Sequence, residues 1–231
     1  MKYIRKSDDR GAVNLGWLKS KHSFSFGNYY DQKHMGISAL RVINDDMVMP
    51  GKGFGTHGHR DMEIISYVME GALKHEDSEG NEHIVAAGHI QRMSAGSGVM
   101  HSEFNASQTD KVKFLQIWIQ PNKMGIKPSY EQKNIQQQGQ LTPLVTPKGS
   151  NGSLSLNQDA SLSRLVLKEK ETYKLVSGKR LGYLHIIKGE IMVEGQYFEA
   201  GDAFKVEPSQ THEIEAISTL EALWFDLPPN H

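Results

Sequence analysis

The residues with the clearest chemical meaning are His57 and His59, two apart in the stretch GKGFGTHGHRDME (Gly51–Glu63). In an extended strand, side chains at i and i+2 leave the same face, about 6.5–7 Å apart along the chain. Two imidazoles so placed can lean onto one metal ion. A helix would splay the same pair by roughly 200° around its axis. The chemistry therefore requires an extended segment, and the glycines favour one. A second pair of this kind follows at His101 and Glu103, an imidazole and a carboxylate. If its strand lies beside the first inside a barrel, three imidazoles and a carboxylate meet. That donor set suits divalent iron, manganese, nickel, cobalt, copper or zinc. Four protein ligands leave two positions of an octahedral ion for substrate or dioxygen. Glu63 competes with Glu103 for the carboxylate place, because it lies four residues past His59 on the same strand face. Failing that, Glu63 is the candidate to accept a hydrogen bond from a ligating imidazole and orient it. Phe54, Met62 and Met93 lie close to these segments and are candidates to line a substrate pocket, although Phe54 reads first as core. His22, His34, His75, His83 and His89 stand outside the pairs and read as ordinary surface or hydrogen-bonded histidines.

The remaining 231-residue chain must supply the strands that hold these groups. Short apolar runs bounded by Gly, Pro, Asn and Asp recur at the spacing of an all-β sandwich or barrel, with few short helices. Strands are expected over His22–Phe26, Ser38–Ile43, Ile64–Met69, Ile90–Met93, His101–Phe104 and Val112–Ile119. The segment from Tyr130 to Gln140 is polar and glutamine-rich. It reads as an inter-domain connection with a short helix around Glu131–Ile135. This places one domain over 1–135, holding the metal site, and a second over 136–231.

The second domain repeats the first. YVMEG (Tyr67–Gly71) matches HIIKG (His185–Gly189), and VAAGHIQRM (Val85–Met93) matches FEAGDAFKV (Phe198–Val206). Counting from the shared glycines sets His57 and His59 opposite Leu175 and Ser177, and Glu103 opposite Ile214. Only His101 keeps a histidine partner, His212. One half carries a ligand set, and the other has lost it.

Composition narrows the chemistry. Formal net charge is −1, with 26 basic and 27 acidic residues mixed along the chain. No basic tract that would track a phosphate backbone is present, so direct nucleic-acid binding is not expected. There is no cysteine. Disulfides, iron–sulfur clusters and thiolate zinc sites are excluded, and any metal must rest on nitrogen and oxygen. The start, MKYIRKSDDRG, is too polar for a signal peptide, and no apolar run approaches a membrane span. A cytoplasmic location, with no membrane partner, is the expectation.

The spacing G(x)5HxH(x)3E, present as Gly51, His57, His59 and Glu63, matches the first cupin signature. Gly88, Gly98, His101 and Asn105 follow the second, two residues longer than its general pattern and with Gly96 where a proline is usual. That departure and the His101–Glu103 pair resemble the pirin branch of the cupins. So do HSFSFGNYYD, LRVINDD, MSAGSGVMHSE and the closing LWFDLPP. The resemblance runs nearly end to end. It implies a bicupin, two tandem antiparallel jelly-roll barrels, with one metal in the N-terminal barrel, usually iron(II). It also implies His57, His59, His101 and Glu103 as ligands, which decides the carboxylate for Glu103 and leaves Glu63 behind the imidazoles. The activity implied is opening of the heterocycle of flavonols such as quercetin with dioxygen, releasing carbon monoxide, with Glu103 as a candidate base. The alternative implied by nuclear relatives is a non-catalytic, redox-sensing regulatory protein that binds protein partners. A pseudo-symmetric bicupin covers its own sheets, so a monomer is expected.

Overall fold

The computed structural model describes residues 1–229. Among them the elements are strands, apart from two single turns of 3-10 helix at Ser7–Asp9 and Ser150–Gly152. No helix is long and apolar enough to cross a membrane. In chain order the first strands are β1 (Ile4–Arg5), β2 (Gly11–Asn14), β3 (Leu18–His22), β4 (Leu40–Val48), β5 (Gly53–His59) and β6 (Glu63–Glu70). They are followed by β7 (Ala72–Asp77), β8 (Glu82–Ala86), β9 (His89–Ser94), β10 (Val99–Asn105), β11 (Val112–Ile119) and β12 (Ser129–Asn134). Next come β13 (Leu141–Thr146), β14 (Leu154–Ser155), β15 (Ser161–Leu167), β16 (Thr172–Val176) and β17 (Leu181–Lys188). The last are β18 (Glu190–Val193), β19 (Gln196–Glu199), β20 (Ala203–Val206), β21 (Thr211–Ala216) and β22 (Leu220–Leu227).

Two compact units form. One comprises Gly11–Ile135 with Leu154–Gln158, and the other comprises Met1–Arg10, Gln136–Ser153 and the chain from Asp159 onward. The first ten residues thus lie with the second unit. The reason is β1, whose Ile4 and Arg5 pair with Phe204 and Ala203 on the edge of that unit's sheet. Leu154–Gln158 stays with the first unit because Arg92 holds Ser155, Nε on its carbonyl at 2.9 Å and Nη2 on its hydroxyl at 2.8 Å.

In the first unit one sheet runs β12-β9-β6-β11-β4-β3-β2 and the other β5-β10-β7-β8. Alternating side chains from both meet in a core of Leu18, Val48, Val68, Leu73, Val85, Val112 and Phe114. The second unit repeats the plan strand for strand. The order β9-β6-β11-β4 recurs as β20-β17-β22-β15, and β5-β10-β7-β8 recurs as β16-β21-β18-β19. Even the tight turns match. Gly71 after β6 and Gly189 after β17 both take left-handed backbone, at φ 77° and 90°. A Cβ there would meet the Lys111 carbonyl oxygen at 2.8 Å and that of Thr219 at 2.3 Å, so each turn requires glycine twice over.

Two local expectations fail. The helix around Glu131–Ile135 is instead β12, paired from Ser129↔Ser94 to Asn134↔His89 along the open edge of β9. Helix propensity in a short polar segment is a weak prior, and an unpaired sheet edge overrides it. The strand expected over His22–Phe26 stops at His22, where the chain enters a turn around Gly27 (φ 57°) closed by paired Phe26 and Tyr29. Phe24 is consequently core, while Phe26 faces the cavity described next.

Candidate metal centre

The two histidine-bearing strands are neighbours. β5 and β10 pair antiparallel with His57 opposite His101 and Phe54 opposite Glu103. Three residues on β5 thus span two on β10, which is a β-bulge at Gly55–Thr56. Gly53 permits the close approach, since a Cβ would meet the Glu103 carbonyl oxygen at 2.3 Å. The Gly55 carbonyl accepts a hydrogen bond from His57 Nδ1 at 2.7 Å. That bond fixes the tautomer and makes His57 Nε2 the nitrogen that carries the lone pair.

Ring centroids lie 4.8 Å apart for His57 and His59, 4.5 Å for His57 and His101, and 4.8 Å for His59 and His101. One nitrogen from each of the three falls within 4.8 Å of the others. The Nε2 atoms of His57 and His101 are 3.0 Å apart. Two nitrogens bound at right angles to one ion at about 2.1 Å lie about 3 Å apart, so the spacing suits a shared ion. Nε2 of His59 is buried and has no protein partner. Burial, and then the neighbouring imidazoles, push His59 down to about 4 and His101 down to about 3. Both rings are therefore neutral at physiological pH, the form that ligates metals.

Glu103, 1% exposed, lies within ligand spacing of His101 but outside the three-imidazole cluster itself. Its Oε1 accepts from Ser66 Oγ at 3.2 Å and Gln91 Nε2 at 3.1 Å, and its Oε2 from Gln116 Nε2 at 2.8 Å. Those donors are neutral. A buried carboxylate held by neutral donors calls for a cation, and the three imidazoles bring a place for one. The donors are themselves anchored: Gln116 Oε1 accepts from Trp118 Nε1, and Gln91 Oε1 from the Tyr130 hydroxyl.

Glu63 does not orient an imidazole. Its carboxylate accepts from Ser94 Oγ at 2.9 Å and from the Asn157 amide groups, so it fastens Leu154–Gln158 to the first unit. The backbone carbonyl of Gly55 takes over the orienting role for His57. His75, read as ordinary, is fully buried on β7, opposite Glu103, with its ring 5.4 Å from that of His101. It bonds Asp77 through Nε2 at 2.8 Å, and His75, His101 and Glu103 form a second cluster with metal-ligand spacing. The signal was available: His75 and Asp77 are a third i, i+2 pair. Ser66, Gln91 and Gln116 were also missed. Ser66 and Gln116 each interrupt an otherwise apolar stretch, IISYVM and FLQIWI, whereas Gln91 sits on a strand that also buries Arg92 and Ser94.

A cavity of about 450 Å³ opens beside the imidazoles. Trp17, Phe26, Phe54 and Trp118 give it flat aromatic walls, and Ser20, His22, Asn44, Asp46, His57, His59, Glu103 and Gln116 are its polar lining. Burial pushes the Asp46 carboxyl up to about 7, partly offset by the Ser20 hydroxyl beside it. Met62 and Met93 pack elsewhere, in a cluster with Ile64, Ala95 and Val99 against which Trp118 and Tyr130 rest.

Residues 4–119 match the Pirin family, and residues 143–227 match the Quercetinase C-terminal cupin domain family. The chain belongs to the pirin family. It is 44% identical over 230 residues to the quercetin 2,3-dioxygenase of Escherichia coli strain K12, covering 99% of this chain and 100% of that protein. The crystal structure of YhhW from Escherichia coli superposes with a TM-score of 0.95 at 44% identity, covering 99% of both chains. A second structure, bacterial pirin YhhW in complex with nickel(II), superposes with a TM-score of 0.94 at 45% identity, covering 98% of this chain and 99% of that one. The pirin architecture of two tandem cupin barrels is thus the architecture of this chain.

Proposed function

We propose that this pirin is a flavonol 2,3-dioxygenase holding one divalent ion, iron(II) by preference, on His57, His59, His101 and Glu103. The observation that carries the reading is a cluster of three imidazoles, two of which, His57 and His59, line an aromatic-walled cavity together with the buried Glu103. The full-length relative in Escherichia coli bears the name quercetin 2,3-dioxygenase, and bacterial pirin YhhW, 45% identical, has been solved in complex with nickel(II). When bound, such an ion lowers the pKa of an oxygen ligand and mediates electron flow to dioxygen.

The chain's own residues do the rest. The indole and phenyl walls clamp a flat ring system and exclude water, and the volume falls within the range of small-molecule sites. Imidazoles held neutral by burial remain available as ligands without competition from protons. Glu103 Oε1 is engaged by two donors and Oε2 by one. Oε2 is therefore the atom with capacity for the ion or for the proton leaving the flavonol 3-hydroxyl. The heterocycle opens, and one ring carbon departs as carbon monoxide.

The test is oxygen uptake and carbon monoxide release with quercetin after loading with iron(II), nickel(II), cobalt(II) or manganese(II) in turn. Stoichiometric oxygen consumption and carbon monoxide are expected with at least the iron form. Ion bound in every case with no flavonol-dependent uptake would remove the dioxygenase reading.

A further inference from the structure

One group in the cavity has no task in holding a metal. Asn44 lies on β4, is 3% exposed and lines the cavity, yet its Oδ1 has no hydrogen-bond partner in the protein. A buried carbonyl oxygen left unsatisfied is costly, and one that faces a cavity is open to a donor arriving from outside. Its surroundings repeat the message. In the register of β3, β4 and β11, Ser20 pairs with Asp46, and Asn44 stands between His22 and Gln116, both of which also line the cavity. Ser20, Asn44 and Asp46 all line the same space, and each offers an oxygen that can accept a hydrogen bond. Across from this oxygen-rich strip stand aromatic walls that suit a flat ring and offer it no polar contact except the Trp118 N–H, already committed to Gln116.

We propose that Asn44, supported by Ser20 and Asp46, reads a ring hydroxyl of the aromatic substrate other than the oxygen presented to the imidazole cluster. The ligand class is thereby narrowed to polyhydroxylated flat aromatics, with Asn44 Oδ1 accepting from a phenolic O–H. A site built to bond a substrate hydroxyl rejects analogues lacking it far more strongly than an apolar pocket rejects a missing methylene. Asn44 is a specificity residue in this account and takes no part in bond making. The inference rests on the proposed flavonol reading, but it concerns recognition and can be measured without turnover.

Trp17 and Trp118 line the cavity, so their fluorescence reports ligand entry. The experiment titrates the metal-loaded protein with flavonols that differ by single ring hydroxyls, for wild type, Asn44→Leu and Asn44→Asp, with circular dichroism as the check on folding. In the wild type, loss of one particular hydroxyl is expected to weaken binding about tenfold, the worth of roughly 1.4 kcal/mol. In Asn44→Leu that step should shrink below about twofold, while Asn44→Asp, which keeps an acceptor, restores it. A wild type indifferent to every hydroxyl, or blind to all the flavonols, overturns the inference. An undiminished step in folded Asn44→Leu also overturns it, as does a uniform loss across the series that leaves the step intact. If the hydroxyl step behaves as expected but no oxygen is consumed, the dioxygenase reading falls and the recognition stands. If oxygen is consumed but the step survives in Asn44→Leu, the reverse holds.

Discussion

The two units are the same eight-stranded plan run twice, and they differ most at one register. In the first, His57 on β5 faces His101 on β10; in the second, Leu175 on β16 faces His212 on β21. Two residues along, Glu103 becomes Ile214, and Ile214 and Leu175 are fully buried members of a core with Phe198, Phe204 and Trp224. Ser177, the counterpart of His59, donates its hydroxyl to the Glu207 carbonyl and so fastens a turn. The surviving His212 has Glu194 Oε1 at 2.6 Å from its Nδ1. Among the described residues, the clusters with metal-ligand spacing belong to the first unit alone. The difference shows that a cupin barrel does not need a metal to close. Where ligands are absent, apolar side chains fill the same interior. In the first unit the same positions carry imidazoles and a carboxylate, buried polar groups with the spacing to hold a cation.

That contrast can be attacked from either side. Restoring a ligand in the second unit, by Leu175→His, inserts an imidazole into a packed apolar core. It should cost about 3–5 kcal/mol, read as a denaturation midpoint well below that of the wild type, with no metal gained. The shared scaffold makes the opposite demand. Gly71→Ala and Gly189→Ala each force a side chain into left-handed backbone against a carbonyl, so each should cost about 1–3 kcal/mol, and the two losses should be similar. A large disparity in their melting temperatures would mean that the two copies do not bear load alike. In the first unit, Gln116→Leu removes one of the three donors to Glu103. Metal affinity or oxygen uptake should fall about 10- to 100-fold with little change in thermal stability.

The smallest effect is on pH dependence. His185 in the second unit is wholly buried and pushed down to about 3, mainly by burial and then by Arg10. An unfolded histidine titrates near 6.5, so between about pH 6.5 and 3 the unfolded chain holds the extra proton. Stability is therefore flat above about pH 6.5 and declines as the pH falls through that window. Replacement by Leu should flatten this decline. His59 and His101 impose the same sign in the first unit when no ion is bound, and a bound ion, which needs both rings neutral, should deepen the loss of stability toward acid.

The candidate ligands were legible in the sequence because strand geometry has a period of two: His57/His59 and His101/Glu103 each had to share a face if extended. The repeat was legible for a related reason, since Gly71 and Gly189, and Gly88 and Gly201, mark turns that no other residue makes comfortably. What stayed hidden depends on partners far along the chain. Nothing in VKFLQIWI says that Gln116 points at a carboxylate thirteen residues away, and nothing near Glu63 says that Asn157 will come to meet it. Ile4 and Arg5 form a strand too short to carry any periodicity, so their place in the second unit was invisible. The glutamine-rich run around β12 misled because its state is set by the free edge of β9 and not by its own propensities.

The most direct test counts metal. Protein purified under conditions that preserve bound ions should carry one ion per chain and consume oxygen with a flavonol, and His101→Ala should lose both while retaining its β-sheet circular dichroism. Two ions per chain, or a folded His101→Ala variant that keeps its ion and its oxygen uptake, would contradict a single centre in the first unit.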